Sequence, residues 1–203
     1  MLALCRLSAF ILPFLITPAF GQTDCVLRKD DFGIRVYSCP TEHSKFKLIK
    51  AEFTVTSSAN QLTAMWLDPE NYTKWQYNTV EANLIKRLND NEIIYYTKVA
   101  AQWPVSDRDL VVHLKVSEEK QTNVLNVSAS SISDIVPLKN KNVRIPTSIS
   151  SWKVTPINES QFAVEYSMEI DPGGYVPPWM VNMVAAEAPY ESFRNFKKIV
   201  ENK

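Results

Sequence analysis

Few side chains in this 203-residue sequence belong to the usual toolkit of catalysis, and their spacing narrows what they can do. There are two histidines, His43 and His113, and three cysteines, Cys5, Cys25 and Cys39. Neither histidine stands at a metal-ligand spacing from a cysteine, so no metal site and no cofactor are expected. A Gly-rich phosphate loop and a G-x-S-x-G nucleophile turn are both missing from the sequence. His113 sits in "LVVHLKV" on the same face as Asp109, Val111 and Lys115, which reads as a surface position rather than a general base. What remains is a covalent staple. In "CVLRKDDFGIRVYSC", residues 25–39, strand-like runs 26–29 and 34–38 flank the turn signal DDFG. A hairpin centred on Phe32 pairs 29 with 35, 27 with 37 and 25 with 39, setting the sulfurs of Cys25 and Cys39 face to face. In an oxidising compartment such a bridge contributes about 3 kcal/mol; in a reducing one the same residues would be two buried thiols.

The first twenty-one residues bear on that choice. Arg6 precedes the apolar run LSAFILPFLI (7–16) and then TPAFG, with Ala19 and Gly21 two apart, the pattern of a secretory signal peptide cleaved after Gly21. As a membrane anchor, residues 7–20 would reach only about 21 Å against a hydrocarbon core of about 30 Å, and Pro13 interrupts them. The expected division is therefore a signal peptide at 1–21, which removes Cys5, and one folded domain at 22–203. That domain is expected to be a monomer. With 45% hydrophobic residues and 22 basic against 22 acidic, the chain can build a core, and it has no Lys or Arg run long enough to track a phosphate backbone. Nucleic acid is not expected as a partner.

The elements that must position any site follow from periodicity. Segment 93–103, IIYYTKVAAQW, puts Ile93, Tyr95, Thr97, Val99, Ala101 and Trp103 on one face; segment 162–170 does the same with Phe162, Val164, Tyr166, Met168 and Ile170. Further strands are expected at 47–55, 79–88, 109–117, 123–131 and 149–156, separated by turn material, which predicts an antiparallel meander with one apolar face. A short helix fits 59–67 with Ser58 as its N-cap. A long one starts at Pro177 or Pro178 and runs toward Val200, kinked at Pro189, with Trp179, Met180, Met183, Val184, Tyr190, Phe193, Phe196 and Val200 on its apolar side.

Two of the four glycines, Gly173 and Gly174, stand between the last strand and that helix, followed closely by Pro177 and Pro178. They permit a reversal with positive φ, so that the helix begins at once and lies across the concave face of the sheet. A cavity can lie between the two. From spacing alone, the apolar side chains facing it read as the filling of a core before they read as the lining of a binding site.

"WPVSDRDLV" (103–111) and "DPGGYVPPWMVN" (171–182) resemble the most recognisable stretches of the START domain, the lipid-transfer module related to steroidogenic acute regulatory protein. "PENYTKWQYNTVEANLIKRL" (69–88) and "LRKDDFGIRVYS" (27–38) are similar to it in the same order, so the resemblance covers essentially all of the chain after residue 21. It implies an α+β helix-grip fold, a curved antiparallel sheet of about nine strands around a long C-terminal helix, and one lipid held in a hydrophobic tunnel. By that resemblance the usual N-terminal helix is expected to be missing or replaced by the signal peptide, and export, unusual for the family, fits its bacterial periplasmic members best.

The resemblance also implies which residues touch ligand: Tyr95, Trp103, Arg108, Tyr166, Met168, Trp179, Met180, Met183 and Val184, with Gly173 and Gly174 as the hinge of a lid. Arg108 matches an arginine that reaches the lipid phosphate in phosphatidylcholine-binding members; the alternative is an ion pair with a neighbouring carboxylate. Sterol-binding members carry an interior acid and arginine where this chain has Tyr95 and Leu114, so a phospholipid or other acyl lipid is expected more than a sterol-like one, with transient membrane contact. Aromatase/cyclases and some hydrolases share the broad fold, and an enzyme acting on a hydrophobic small molecule is the alternative.

Overall fold

The structure, a computed structural model, describes residues 25–132, 135–138 and 141–201; the expected signal peptide lies outside them. In chain order the strands are β1 (Val26–Asp31), β2 (Ile34–Cys39), β3 (Leu48–Thr56), β4 (Thr79–Asn89), β5 (Glu92–Val99), β6 (Arg108–Glu119), β7 (Val124–Ser131), β8 (Val143–Arg144), β9 (Thr147–Pro156) and β10 (Gln161–Asp171). The helices are α1 (Ala59–Trp66), α2 (Pro178–Val184) and α3 (Glu187–Glu201), with a 3-10 turn at Pro69–Lys74. One sheet runs β1-β2-β3-β10-β9-β7-β6-β5-β4, every neighbour antiparallel, and the two-residue β8 adds to β6 in parallel. The protein is therefore an α+β fold in which a curved antiparallel sheet holds a C-terminal helix.

Alternation decides the faces. Along β3, Ile49, Ala51, Phe53 and Val55 are buried while Lys50, Glu52 and Thr54 face water. On α3, Tyr190, Phe193, Phe196 and Val200 recur every three or four residues and sink into the sheet's concave side. Phe193 stacks on Phe53 at 5.0 Å between ring centres, and Phe196 stacks on Trp66 at 6.0 Å. Burying each such ring is worth about 1.5–3 kcal/mol, so α3 is firmly seated. Ser58 caps α1, accepting from the Gln61 N–H at 3.2 Å.

Two expectations need correcting here. The predicted long helix is broken, not kinked: α2 ends at Val184 and α3 starts at Glu187. Pro189 has no N–H, and in a continuous helix its ring would press on the carbonyl of Ala185, so the chain stops and restarts with Pro189 in the first turn, where no intrahelical donor is needed. The strand predicted to reach 103 ends at Val99, because its partner β6 begins opposite it at Arg108 and Pro104 brings no donor to extend a ladder.

The disulfide between Cys25 and Cys39 is present, at 2.06 Å. Its hairpin reaches the expected end by an unexpected route. Phe32 and Gly33, both at positive φ (51° and 69°), form a two-residue turn pairing Asp31 with Ile34 and Lys29 with Val36; a bulge at Arg28 then shifts the register so that Leu27 meets Tyr37.

Candidate functional site

Between the concave face, α2 and the start of α3 lies a cavity of about 420 Å³. Trp66, Trp75, Trp152 and Phe193 line it, and their rings pack with Phe196 into one aromatic cluster. A groove of similar size, about 430 Å³, crosses the outer face, where Ser128, Ser151 and Ser167 stand among Lys50, Glu52, Lys153 and Glu165. Its lining mixes hydroxyls and charged side chains with Ala51 and Val127, whereas the inner cavity is walled mainly by apolar and aromatic side chains with a few convergent polar groups, the make-up of a ligand site.

Arg108 is the charged group of that inner wall, 9% exposed. Both neighbouring carboxylates are engaged elsewhere. Asp107 binds Lys98 at 2.8 Å, and Asp109, on the opposite face of β6, takes Arg144 at 2.6 Å with further bonds from Tyr96 and Asn142. Among the described residues Arg108 forms no ion pair; its guanidinium donates to the Ser106 carbonyl. Removal from water lowers its pKa, and the charge of Asp107 only partly opposes this. The guanidinium sits beneath the turn at 171–174, near enough that a side chain on Gly174 would come within 4.0 Å of it. That turn is built as the glycines predict: both have positive φ (66° and 67°), Gly173 N–H bonds the Asp171 carboxylate at 2.9 Å, and a Cβ on Gly173 would lie 3.0 Å from the Arg144 carbonyl.

Deeper in, Tyr95 and Tyr166 face the cavity, and burial pushes both phenols well above their usual pKa, so both stay neutral donors. Met168 and Val184 line it as well. Trp103, Trp179, Met180 and Met183 are not among its lining residues. Trp103, 89% exposed, lies in the loop beyond the end of β5. Trp179 and Met183 point outward because the break before α3 frees α2 from that helix's phase: Val181, Val184, Ala185 and Ala188 face the cavity instead. No residue of α2 is fully buried. Its clearest tether is Asn182, whose carboxamide accepts from Lys47 N–H at 3.0 Å and donates to the Lys45 carbonyl at 3.1 Å.

Several lining residues were not singled out from sequence. Thr97 shares the face of Tyr95, and period two carried that much; Ser148 and Ser150 come from β9, and Ile145 from an irregular segment with no sequence signal pointing inward.

The START domain profile matches residues 27–203. This chain belongs to the START domain family. START domains form a lipid-binding and lipid-transfer family, and this one is similar to a STAR-related lipid transfer protein of Xanthomonas axonopodis, with 27% identity, a TM-score of 0.80, and coverage of 87% of this chain and 98% of that one. It is 25% identical to an uncharacterized protein of Pseudomonas aeruginosa over 180 residues, 89% of this chain and 88% of the other. Human StAR-related lipid transfer protein 5 shares the START fold, with a TM-score of 0.74 at 18% identity, covering 88% of this chain and 86% of that one. Among the described residues no helix is long and apolar enough to cross a membrane.

Proposed function

We propose that this START domain is an exported carrier that holds one acyl lipid in its inner cavity and moves it through an aqueous compartment, the bacterial periplasm. The observation that carries this is Arg108, a buried cation with no carboxylate partner among the described residues, set at the edge of an apolar cavity. Such a group is costly unless a ligand brings the countercharge, and a phosphate fits its planar donor fork. Each methylene left in water costs about 0.8 kcal/mol, so enclosing the chain is the work the cavity would do.

The carrier is read as non-enzymatic. His113 lies outside the cavity wall, against Glu92 at 2.6 Å. Residues 1–21 are read as a cleaved export signal, consistent with the bridged cysteines in the domain that follows. The exposed aromatic side chains Trp103, Tyr175 and Trp179 suit brief contact with a membrane interface, where amphipathic rings settle. α2 is read as the lid, pivoting at Gly173 and Gly174 on one side and at the break before Glu187 on the other.

Native mass spectrometry of protein purified from its own host tests the reading. A co-purifying acyl lipid of one-to-one stoichiometry is expected; an empty protein, or turnover of a soluble polycyclic compound, overturns it. Quenching of tryptophan fluorescence by brominated vesicles tests the membrane contact, and should fall when Trp103 and Trp179 are replaced by Ala.

A further inference from the structure

Three tyrosines line the deep part of the cavity, and their hydroxyls differ in circumstance. Tyr72 donates to the Trp66 carbonyl, and Tyr166 has the Ser150 hydroxyl beside it. Tyr95 is 6% exposed, yet its hydroxyl makes no hydrogen bond among the described residues. The Thr97 hydroxyl is unpartnered too, but packing seals it off completely. The Tyr95 oxygen is not sealed off: it keeps accessible surface, and that surface opens on the cavity. A buried polar group without a partner is costly and uncommon, so one left open to a cavity calls for a partner from within it.

The strands give the depth of this group. On the β5–β6 ladder Val99 pairs with Arg108, and Tyr95 lies four residues farther along β5, about 13 Å away at strand rise. Tyr95 and Tyr166 come from β5 and β10, four places apart in the sheet, and its curvature brings them together: a charge on Tyr95 would be felt at Tyr166. Burial keeps both phenols protonated. The cavity thus carries a cation at its edge and a pair of neutral phenols farther in. An anionic group taken down to the phenols would leave its countercharge behind at Arg108, so the oxygen that suits them is uncharged, a hydroxyl or a carbonyl.

We propose that the cavity has a second polar subsite, in which Tyr95, supported by Tyr166, holds an uncharged oxygen carried partway along the ligand's chain, so that the cargo is an oxygenated acyl lipid rather than a plain one. This rests on the carrier reading and specifies its cargo. An extended chain advances roughly 1.2 Å per bond, so about 13 Å corresponds to roughly eleven bonds between the charged head and that oxygen.

Titration of the delipidated protein with stearate, 2-hydroxystearate and 12-hydroxystearate, followed by tryptophan fluorescence, tests the subsite. All three offer Arg108 the same carboxylate, and only the last carries an oxygen at the right depth. Wild type should bind 12-hydroxystearate about fivefold more tightly than stearate. Tyr95→Phe keeps the ring packed against Tyr72 and removes the oxygen alone. It should bring that ratio to about one and leave the melting temperature unchanged or raised. Arg108→Gln should weaken all three acids and preserve the ratio. Equal binding of stearate and 12-hydroxystearate by wild type, a ratio that persists in Tyr95→Phe, or a larger Tyr95-dependent gain for 2-hydroxystearate overturns the subsite while leaving the carrier reading intact. If wild type binds none of these acids and no phospholipid, the carrier reading itself falls, and this inference with it.

Discussion

Arg108 and Asp109 are adjacent in sequence and opposite in circumstance: Asp109 is fully buried on the outer side of β6 in a 2.6 Å pair with Arg144, while Arg108 faces the cavity with no ion pair among the described residues. Strand alternation separates the two, so the acid that could have neutralised Arg108 is committed to a structural partner.

The two positions should therefore answer substitution differently. Arg144→Met leaves a buried carboxylate unpaired and should destabilise the fold by about 3–5 kcal/mol. Burial alone would raise the Asp109 pKa; the bond and charge of Arg144, with help from Asn142 and Tyr96, outweigh it and hold the carboxyl below its ordinary 3.8. A depressed folded pKa gives stability that is present above the ordinary value and lost as pH falls through the folded one. The gap in urea midpoint between wild type and Arg144→Met should accordingly shrink as pH is lowered below that range. A constant gap would show that Asp109 is not the group involved.

Arg108→Gln should do the reverse. It removes a charge that has no ion-pair partner among the described residues, so the melting temperature should stay within a few degrees. Phosphate-bearing lipids should bind more weakly by about 1.5–3 kcal/mol in a vesicle-depletion assay. An unfolded variant whose folded fraction still binds normally would make Arg108 structural.

Opening of the cavity should be governed by α2, which buries no residue fully and is held by the two hydrogen bonds of Asn182. Asn182→Ala should speed lipid exchange between vesicles several-fold with little change in global stability, because opening is a local, low-free-energy event. A disulfide locking α2 to residues 45–47 should slow exchange; exchange at the unlocked rate in the locked protein would exclude α2 as the lid.

Replacing Cys25 and Cys39 with Ser should lower stability by about 3 kcal/mol by releasing the closed loop in the unfolded chain. Intact mass of the exported protein should give a start at Gln22 and no alkylatable thiol without reduction.

Most of the sheet was legible because its two faces meet different solvents, and period two records that contrast residue by residue, as in Phe162, Val164 and Tyr166. The hairpin's ends were legible from DDFG and the cysteines, but the bulge at Arg28 was not, since a sequence shows how far two ends lie from a turn and not where an extra residue is absorbed. Trp103 continued the alternation of β5 on paper, yet a strand lasts only as long as its partner, and β6 starts at Arg108. Pro189 announced a disturbance in the helix; that it would rotate Trp179 and Met183 out of the site depended on the phase lost at the break. Period two placed Thr97 on the inward face, but that its hydroxyl has no hydrogen-bond partner among the described residues was not legible, because being unpartnered is a property of surroundings rather than of residue type.

The carbonyl of Arg144 lies 3.0 Å from where a Cβ on Gly173 would be, and the side chain of the same Arg144 grips Asp109 in the sheet's outer layer. One residue thus braces the turn over the cavity with its backbone and the outer layer with its side chain. If an event at the outer surface that moves Arg144 shifts that turn, then occupancy of the cavity is felt at the outer surface to the same free-energy extent, because coupling between two sites is reciprocal.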